Sequence, residues 1–331
     1  MTNRTVRLAK RPTGLPAADT WAIADEAVPT AGEGEVLVKV TAISLDPAMR
    51  GWINEGRSYI PPVQIGEVMR AGAVGEVIVS NSQDFKPGDA VAGGFGVQAY
   101  AVAKPADLER IDTAIAPPER WLGVLGMPGM TAYFGLLDVG ALKDGETVVV
   151  SAASGAVGAL VGQIAKLKGC TVVGIAGGAE KCAYVTGELG FDACIDYKAP
   201  ELLKALSAAA PKGIDVYFDN VGGPILEAAM TLLRKNARVV ICGAIVGYND
   251  FSKIQGPRNY LNLLVQRARM EGFVVFDYLD RYPEAKAAIV GWLVEGKIKA
   301  KEDVQIGLDR FPEVLNMLYT SQNFGKLVLK P

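Results

Sequence analysis

The spacing of apolar residues along the chain changes near residue 120. Before that point, short apolar runs such as EVLVKVTAISLDP, GAVGEVIVS and GDAVAGGF are separated by glycine and proline. Runs of four to eight residues that are rich in β-branched side chains and bounded by glycine or proline are typical of strands. The pattern therefore predicts a β-rich first domain, either a barrel or a sandwich.

After residue 120, apolar runs of helical and strand character alternate. The segment PERWLGVLGMPGMTAYFGLLDVG has helical spacing around a break at Pro128 and Gly129. The predicted strands are then ETVVVSAA, TVVGIAG, DACIDY, GIDVYFDNVGG, ARVVICGAI and EGFVVFDY. The helices between them are AVGALVGQIAKLKG, AEKCAYVTGELG, PELLKALSAAAP and PILEAAMTLLRKN. This order predicts a doubly wound parallel sheet, and hence an α/β fold class.

The tail, GLDRFPEVLNMLYTSQNFGKLVLKP, is predicted to be a helix and a strand that returns to the first domain. A chain of 331 residues is long enough for two cores. The predicted domains are residues 1–122 together with 298–331, and residues 123–297.

Charge and composition exclude several classes of partner. The formal net charge is −2, which predicts neither a nucleic-acid surface nor an anionic-membrane surface. The start of the chain, MTNRTVRLAKRPTG, has no apolar leader, so a cytoplasmic location is expected. The uncharged run from Thr147 to Ala165 is as long as a membrane span, but it is interrupted by small residues and by Gln163. It is predicted to be a buried strand, turn and helix.

The chain has no histidine. A Ser-His-Asp triad, a Cys-His pair and a zinc site with imidazole ligands are therefore excluded, and no metal is predicted. Proton transfer must come from tyrosine, lysine, a carboxylate, water or the hydroxyls of a cofactor. The cysteines lack CxxC spacing and are expected to be inert thiols; they are Cys170, Cys182, Cys194 and Cys242.

The segment AASGAVG follows the first predicted strand of the sheet and precedes a helix. Its Ala152-x-x-Gly155-x-x-Gly158 spacing is a variant of the dinucleotide fingerprint. Gly155 would let the backbone approach a pyrophosphate, and Gly158 would let helix and strand pack closely. The alternative is a packing turn of small residues that binds no ligand.

The segment GIAGGAEK ends the second predicted strand of the sheet. An acid at this place binds the ribose hydroxyls of NAD, but the chain has small residues at 176–178, and Lys181 lies on the next helix. A cation beside open space favours a 2′-phosphate, and Tyr197 could reach the same pocket from the third strand. The cofactor is therefore predicted to be NADP(H). Glu180 could bind a ribose hydroxyl or face solvent, and Lys181 could be a plain surface lysine.

Several segments in order carry a family resemblance: SLDPAMRG, IGEVMRAGAVGEV, GVLGMPGMTAYFGL, SAASGAVGALVGQIAKLKGC, VVGIAGGAEK, GFDACIDYK, DVYFDNVGG, CGAIVGYN, GFVVFDY and NFGK. Together they resemble the zinc-independent medium-chain dehydrogenase/reductases, in the branch of leukotriene hydroxydehydrogenase/prostaglandin reductase, plant 2-alkenal reductase and bacterial curcumin reductase. The resemblance implies a GroES-like catalytic domain and a Rossmann cofactor domain. It also implies a homodimer that reduces the activated C=C bond of α,β-unsaturated aldehydes and ketones, with hydride transferred from NADPH to the β-carbon.

By this resemblance the cofactor contacts fall mostly at the ends of strands, where an open α/β sheet has its ligand crevice. They are Met127, Pro128, Thr131, Gly155, Ala156, Val157, Gly158, Gly178, Lys181, Tyr197, Asn220, Cys242, Gly243, Ala244, Ile245, Tyr248, Phe273, Val274, Val275 and Asn323. The alternative for GMPGMTAY is a kinked helix between the domains that contacts no ligand.

Two tyrosines are the candidate catalytic residues. Tyr248 is predicted to hydrogen-bond the substrate oxygen or the nicotinamide ribose, since a phenol can donate without ionising; a structural role is the alternative. Tyr59 is expected to line the substrate cleft. The chain departs from the family at Ala48, where relatives carry tyrosine in DPYMRG, so the pocket there is expected to be wider or less polar. Arg50 is expected to form a salt bridge or to reach the substrate.

The resemblance also bears on the metal. SLDP and IGE stand where zinc-using members of the superfamily carry cysteine and histidine ligands. Reduction of an enone needs only a hydride and a hydrogen-bond donor at the developing oxyanion. Two alternatives remain at this stage: a quinone reductase of the same superfamily, and a cofactor-binding protein without turnover.

Overall fold

The computed structural model describes residues 1–56, 58–250, 252, 254 and 256–331. The chain divides into two compact units. The first unit is Met1–Gly123 with Glu302–Pro331, and the second unit is Val124–Lys301.

The strands, in chain order, are β1 Thr2–Leu8, β2 Trp21–Ala27, β3 Val36–Ser44, β4 Ala73–Ser80, β5 Ala90–Gly93, β6 Tyr100–Ala103, β7 Leu108–Arg110, β8 Thr147–Ser151, β9 Thr171–Ala176, β10 Ala193–Asp196, β11 Ile214–Asp219, β12 Leu233–Ile241, β13 Arg269–Gly272, β14 Glu302–Ile306 and β15 Lys326–Lys330. The α-helices are α1 Met49–Trp52, α2 Met127–Phe134, α3 Gly158–Leu167, α4 Ala179–Gly187, α5 Leu202–Ala209, α6 Gly223–Thr231, α7 Leu261–Gln266, α8 Tyr282–Val294 and α9 Phe311–Tyr319.

The first unit is β-rich. Its main sheet has the order β14-β15-β3-β4-β5-β7, and β6 pairs with β3, while β1 pairs with β2. The tail strand β15 runs antiparallel to β3 and parallel to β14, so the end of the chain is part of this sheet. The inward side chains of β3 and β4, among them Val36, Val38 and Val77, lie in one apolar core with Phe311 of α9.

The second unit holds a parallel sheet whose order, within the described residues, is β10-β9-β8-β11-β12-β13. Strand order reverses between β8 and β11, and both of these strands are buried along their whole length. Parallel strands place their carboxyl ends along one edge of the sheet, and ligands bind outside that edge where the order reverses. The predicted α/β class, with a β-rich part and a doubly wound sheet, is confirmed.

Two predicted elements are wrong in their bounds. The sixth strand of the sheet was predicted over EGFVVFDY, but β13 covers Arg269–Gly272, and Val275–Arg281 forms a 3₁₀ helix. The apolar residues there pack as a turn: the ring of Phe273 meets that of Phe218 edge to face at 6.4 Å. The helix predicted over PILEAAMTLLRKN ends at Thr231, because β12 begins two residues later.

Two further segments bear on expectations from the sequence. Pro128 lies in the first turn of α2, where its missing N–H costs no helical hydrogen bond, so it starts the helix and does not kink it. A π-helical turn, Gly135–Val139, continues α2. The uncharged run 147–165 forms β8, a turn and most of α3, as predicted. In the part of the chain that the structure describes, no helix is long and apolar enough to cross a membrane.

Candidate functional site

The turn between β8 and α3 is built around a close approach of backbone atoms. The carbonyl of Ala152 accepts the N–H of Gly155 at 2.9 Å. A Cβ added at Gly158 would lie 2.4 Å from the same carbonyl oxygen, so glycine is required for α3 to begin this close to the turn. The first backbone N–H groups of a helix have no hydrogen-bond acceptor within the helix. Because Ala156 and Val157 are partly exposed at this end of α3, the turn can bind an anion.

At the end of β9, the backbone leaves open space at Gly178, whereas side chains pack against Gly177. Gly178, at φ +98°, caps α4, and a Cβ added there would meet no atom within 4 Å. A Cβ added at Gly177 would lie 2.8 Å from Cε1 of Tyr197 and 3.2 Å from Cε of Lys198. Tyr197 therefore packs against the glycine backbone, and Lys198 is a second cation near this loop that sequence reasoning missed. Lys181 lies in the first turn of α4.

An acidic residue that sequence reasoning missed fixes this loop. Asp196 ends β10, and its Oδ1 accepts the N–H of Gly178 at 2.9 Å and the N–H of Lys198 at 3.0 Å. These backbone hydrogen bonds, that from Gly178 first, lower the pKa of Asp196. The sequence did contain a signal for this role, because Asp196 is an acid at the end of a predicted strand, directly before Tyr197. Glu180 is exposed, which fits the expectation that it faces solvent.

Side chains tie the carboxyl ends of β8 and β11 together where the strand order reverses. The Ser151 hydroxyl donates to Oδ1 of Asp219 at 3.0 Å and accepts the N–H of Asn220 at 2.9 Å. The side-chain amide of Asn220 donates to the carbonyl of Ser151 at 2.8 Å. Asn220 is thus held at the switch point of the sheet.

Asp219 is buried, and it was also missed. Besides Ser151, its Oδ1 accepts the Tyr217 hydroxyl at 2.8 Å and the N–H groups of residues 221–222, each at 3.0 Å. Its backbone carbonyl accepts the N–H groups of residues 242–243, at 2.9 and 3.1 Å. One residue therefore organises the ends of three neighbouring strands. Burial and the charge of Asp219 raise the pKa of Cys242 to about 12, so its thiol stays protonated and is not a nucleophile.

Tyr248 folds back over the loop that follows β12. After the 3₁₀ turn Ile245–Gly247, its Oη accepts the N–H of Ala244 at 3.3 Å. A Cβ added at Gly243 would lie 2.9 Å from this Oη and 3.3 Å from the carbonyl oxygen of Asn220. The structure thus brings Tyr248, the Gly243–Ala244 backbone and Asn220 together at the carboxyl edge of the sheet.

The predicted nicotinamide contacts lie on two further segments of the second unit. In α2, the Thr131 hydroxyl donates to the Met127 carbonyl at 2.8 Å, and Thr131 is buried. After β13, Phe273 packs over Gly135, where an added Cβ would lie 2.5 Å from its Cζ. The following Val274 precedes a 3₁₀ helix that begins at the buried Val275.

Two predicted site residues belong to the first unit. Tyr59 is 56% exposed, and its hydroxyl accepts the indole N–H of Trp52 at 3.2 Å. Asn323 donates to the carbonyl of Gly325 at 3.1 Å, in the loop before β15.

Arg50 and Ala48 were also singled out in the sequence. The Arg50 guanidinium donates to the backbone carbonyls of Pro12 and Gly14 and to the side chain of Asn54. These contacts anchor α1 to the N-terminal segment. Ala48 packs against the core of the first unit.

A buried ion pair occupies the SLDP segment. Lys326 Nζ lies 2.6 Å from Oδ1 of Asp46 and donates to the Leu45 carbonyl at 2.9 Å, and Asp46 also accepts the hydroxyl of Ser44. The ammonium group thus supplies the positive charge that balances Asp46 here. Among the described residues, no group of three or more Cys, Asp or Glu side chains could hold a metal ion.

Comparison with known proteins adds family information. Residues 4–111 match the family described as the N-terminal domain of oxidoreductase, and residues 156–291 match the family described as zinc-binding dehydrogenase. The NADPH-dependent curcumin reductase of Escherichia coli (strain K12) is 44% identical, over 99% of this chain and 96% of that protein. The NADP(+)-dependent 2-alkenal reductase of Nicotiana tabacum is 41% identical, over 90% of this chain and 88% of that protein.

Among solved structures, CurA from Vibrio vulnificus in complex with NADPH superposes with a TM-score of 0.94 at 44% identity, covering 99% of this chain and 98% of that one. Fold and family matches together define an oxidoreductase with a β-rich part and a doubly wound sheet. The chain belongs to the medium-chain dehydrogenase/reductase superfamily, in the branch of the curcumin, 2-alkenal and prostaglandin reductases.

Proposed function

We propose that the protein is an NADPH-dependent reductase of the activated C=C double bond in α,β-unsaturated aldehydes and ketones. The observation that carries the proposal is the position of Tyr248, whose hydroxyl lies against Gly243 and beside Asn220 at the carboxyl edge of the parallel sheet. The relatives named above support the substrate class, since a 2-alkenal is itself an α,β-unsaturated aldehyde.

NADP(H) is the cofactor, as it is for the relatives whose names carry it. The residues of this chain fit it. The start of α3 offers backbone N–H groups to the pyrophosphate. The open space beside Gly178 lies next to Tyr197 and the first turn of α4, which carries Lys181. In this proposal Lys181 and Tyr197 hold the 2′-phosphate, and the residues near Asn220 and Tyr248 adjoin the nicotinamide end.

When bound, NADPH supplies the hydride that adds to the β-carbon. Negative charge then develops on the carbonyl oxygen of the substrate, and a hydrogen-bond donor at that oxygen stabilises it. A phenol both donates and accepts, and the N–H of Ala244 that the Tyr248 hydroxyl accepts orients this hydroxyl. Tyr248 is proposed to donate to the substrate oxygen, and Tyr59 to line the substrate site.

The SLDP segment supports a reaction without zinc. Hard and borderline cations bind where carboxylates and thiolates are available, whereas Asp46 is already neutralised by Lys326 and bonded by Ser44. This donor set suits an internal ammonium group better than a metal. Reduction of a conjugated C=C bond is compatible with that arrangement, because a tyrosine donor can polarise the carbonyl in place of a Lewis acid.

An NADPH-oxidation screen tests the proposal with 2-alkenals, enones, quinones and saturated aldehydes. We expect kcat/KM to be highest for 2-alkenals or enones. The products should be saturated carbonyl compounds, and with deuterated NADPH the deuterium should be found at the β-carbon. Oxidation with quinones alone would identify a quinone reductase instead. Tight NADPH binding without turnover of any substrate would indicate a cofactor-binding protein.

The proposal includes a homodimer formed along β13. Within the described residues, this strand is one of the two outer strands of the parallel sheet, and the edge of a sheet presents unpaired backbone groups to another strand. The helix α7 precedes β13 in the chain and packs against β12; it exposes Leu261, Leu264 and Val265, and Leu264 is 74% exposed. A second copy related by two-fold symmetry would cover both features. We expect Leu264→Glu to give monomers in sedimentation experiments, and Leu203→Glu, on α5 near the other edge, to leave dimers.

The proposed compartment is the cytoplasm. All the cysteines lie in the described part of the chain, and all are free thiols. Reducing compartments keep thiols in this state.

A further inference from the structure

Two cysteines of the second unit lie in contact without being bonded. Sγ of Cys194, on β10, is 3.2 Å from Sγ of Cys182, on α4, and both residues are free and partly buried. A disulfide joins two sulfur atoms at about 2.05 Å, so the two sulfurs need to approach by only about 1 Å to form one. The other cysteines, Cys170 and Cys242, are outside this contact.

The pair adjoins the loop that caps α4. Cys182 follows Lys181 directly, and its N–H donates to the carbonyl of Gly178 at 3.2 Å. Cys194 is two residues before Asp196, whose carboxylate holds the N–H of Gly178 at 2.9 Å. Both cysteines therefore belong to segments that are hydrogen-bonded to Gly178, in the loop proposed above to lie beside the 2′-phosphate.

We propose that Cys182 and Cys194 are a modification site at which a two-electron oxidant of the peroxide class forms an intrachain disulfide. The thiol of Cys182 is first oxidised by hydrogen peroxide to a sulfenic acid, and one water is released. The sulfur of Cys194 then attacks the sulfur of Cys182, its proton combines with the departing hydroxide, and a second water is released. Two thiols and one peroxide thus give one disulfide and two waters.

The order of these steps follows from the surroundings of each sulfur. Burial, and then the neighbouring Cys182 sulfur, raise the pKa of Cys194, so its thiol stays protonated and reacts slowly with peroxide. Cys182 lies on the first turns of α4 and is the sulfur expected to meet the oxidant first. Cys194 is then the resolving residue.

Formation of the bridge is expected to affect the cofactor, and this consequence rests on the proposed function. A covalent bond would draw the start of α4 towards β10 and shift Lys181 and Gly178 from their positions in the reduced form. We expect the oxidised protein to bind NADPH at least about fivefold more weakly than the reduced protein. By reciprocity, bound NADPH would make the disulfide harder to form by the same factor.

Peptide mapping tests the site independently of activity and of the cofactor. The purified protein is treated with limiting hydrogen peroxide, the remaining thiols are blocked, and the protein is digested with trypsin. Cleavage after Lys181 and Lys198 leaves both cysteines on one peptide, which should lose the mass of two hydrogen atoms. Cleavage after Glu188 should then leave its two halves joined until a reductant is added.

Single variants supply the controls. Cys182→Ser and Cys194→Ser should each abolish the linked peptide, whereas Cys170→Ser should keep it. Separate halves from oxidised wild-type protein, or over-oxidised Cys182 without linkage, would overturn the modification site. If the linked peptide forms but the dissociation constant for NADPH is unchanged, the coupling to the cofactor is wrong and the disulfide site stands. If NADPH does not bind even the reduced protein, the cofactor assignment itself fails.

Discussion

The Ser151 hydroxyl lies 3.0 Å from Oδ1 of Asp219, across the point where the order of strands in the parallel sheet reverses. The same hydroxyl accepts the N–H of Asn220, so one side chain joins the ends of β8 and β11. The loops that follow these two strands are the ones proposed to hold the pyrophosphate and the nicotinamide. The relative position of these two loops therefore depends on a buried contact that no sequence motif predicts.

The first prediction concerns this contact. Ser151→Ala leaves the N–H of Asn220 and one acceptor position on Asp219 without their partner. We expect a loss of about 1–3 kcal/mol in stability together with weaker NADPH binding, because an unsatisfied buried polar group carries its full desolvation cost. Urea unfolding and NADPH fluorescence titration measure the two effects. Ser80→Ala removes a hydroxyl that donates to the Phe85 carbonyl in the first unit, and it should leave NADPH affinity unchanged.

The second prediction concerns the choice between NADPH and NADH. Lys181→Ala should reduce the preference for NADPH by about 10- to 100-fold, since hydrogen bonds to charged groups contribute about 1.5–3 kcal/mol. Lys198→Ala should reduce it by a smaller factor, because its side chain is exposed. The measurement is kcat/KM with each cofactor. Lys212→Ala, at the opposite end of β11, is the control, and an unchanged preference in Lys181→Ala would contradict the assignment.

The third prediction concerns the hydrogen-bond donor. Tyr248→Phe keeps the aromatic ring but removes the hydroxyl that lies against Gly243. We expect kcat with an enone to fall by about 100-fold or more, the range for loss of a positioned acid group, while NADPH still binds. Tyr260→Phe changes an exposed tyrosine and serves as the matched control. Wild-type turnover in Tyr248→Phe would remove this residue from the mechanism.

The fourth prediction is a pH dependence at the loop that caps α4. The N–H groups of Gly178 and Lys198 lower the pKa of Asp196 in the folded protein, so the unfolded chain binds its proton more readily. The stabilisation is therefore present above the unfolded pKa of about 3.9 and is lost as pH falls below it. We expect the difference in urea midpoint between wild type and Asp196→Ala to be constant near neutral pH and to shrink in acid. A difference that grows in acid would contradict this.

The fifth prediction concerns the buried ion pair of the first unit. Lys326→Met leaves the charge of Asp46 buried without its counter-ion, and we expect a cost of about 3–5 kcal/mol. Adding Asp46→Asn to this variant should restore part of the loss, because the isolated charge is then gone. Tryptophan fluorescence during urea unfolding reports mainly on this unit, which contains three of the four tryptophans: Trp21, Trp52 and Trp121. A loss below about 1 kcal/mol in the single variant would show that the pair is dispensable.

The sequence predicted most of the architecture because apolar periodicity and glycine placement are local properties. The run ETVVVSAA and the AASGAVG turn gave β8 and the start of α3, and the later strands of the sheet followed in order. Errors occurred where packing overrides local pattern. The residues FVV after β13 are apolar because Phe273 packs on Phe218 and Gly135, and a strand and a packed turn look alike over so few residues.

The sequence by itself determined the family, the cofactor class and the absence of histidine chemistry, since these depend on which residues are present and on their spacing. Only the tertiary structure decided which polar groups meet. It placed Asp196 on the backbone of Gly178, Asp219 among the ends of three strands, and Cys182 against Cys194. Such contacts join residues from different strands and helices, and no local pattern encodes the distance between two side chains until the sheet has brought those strands together.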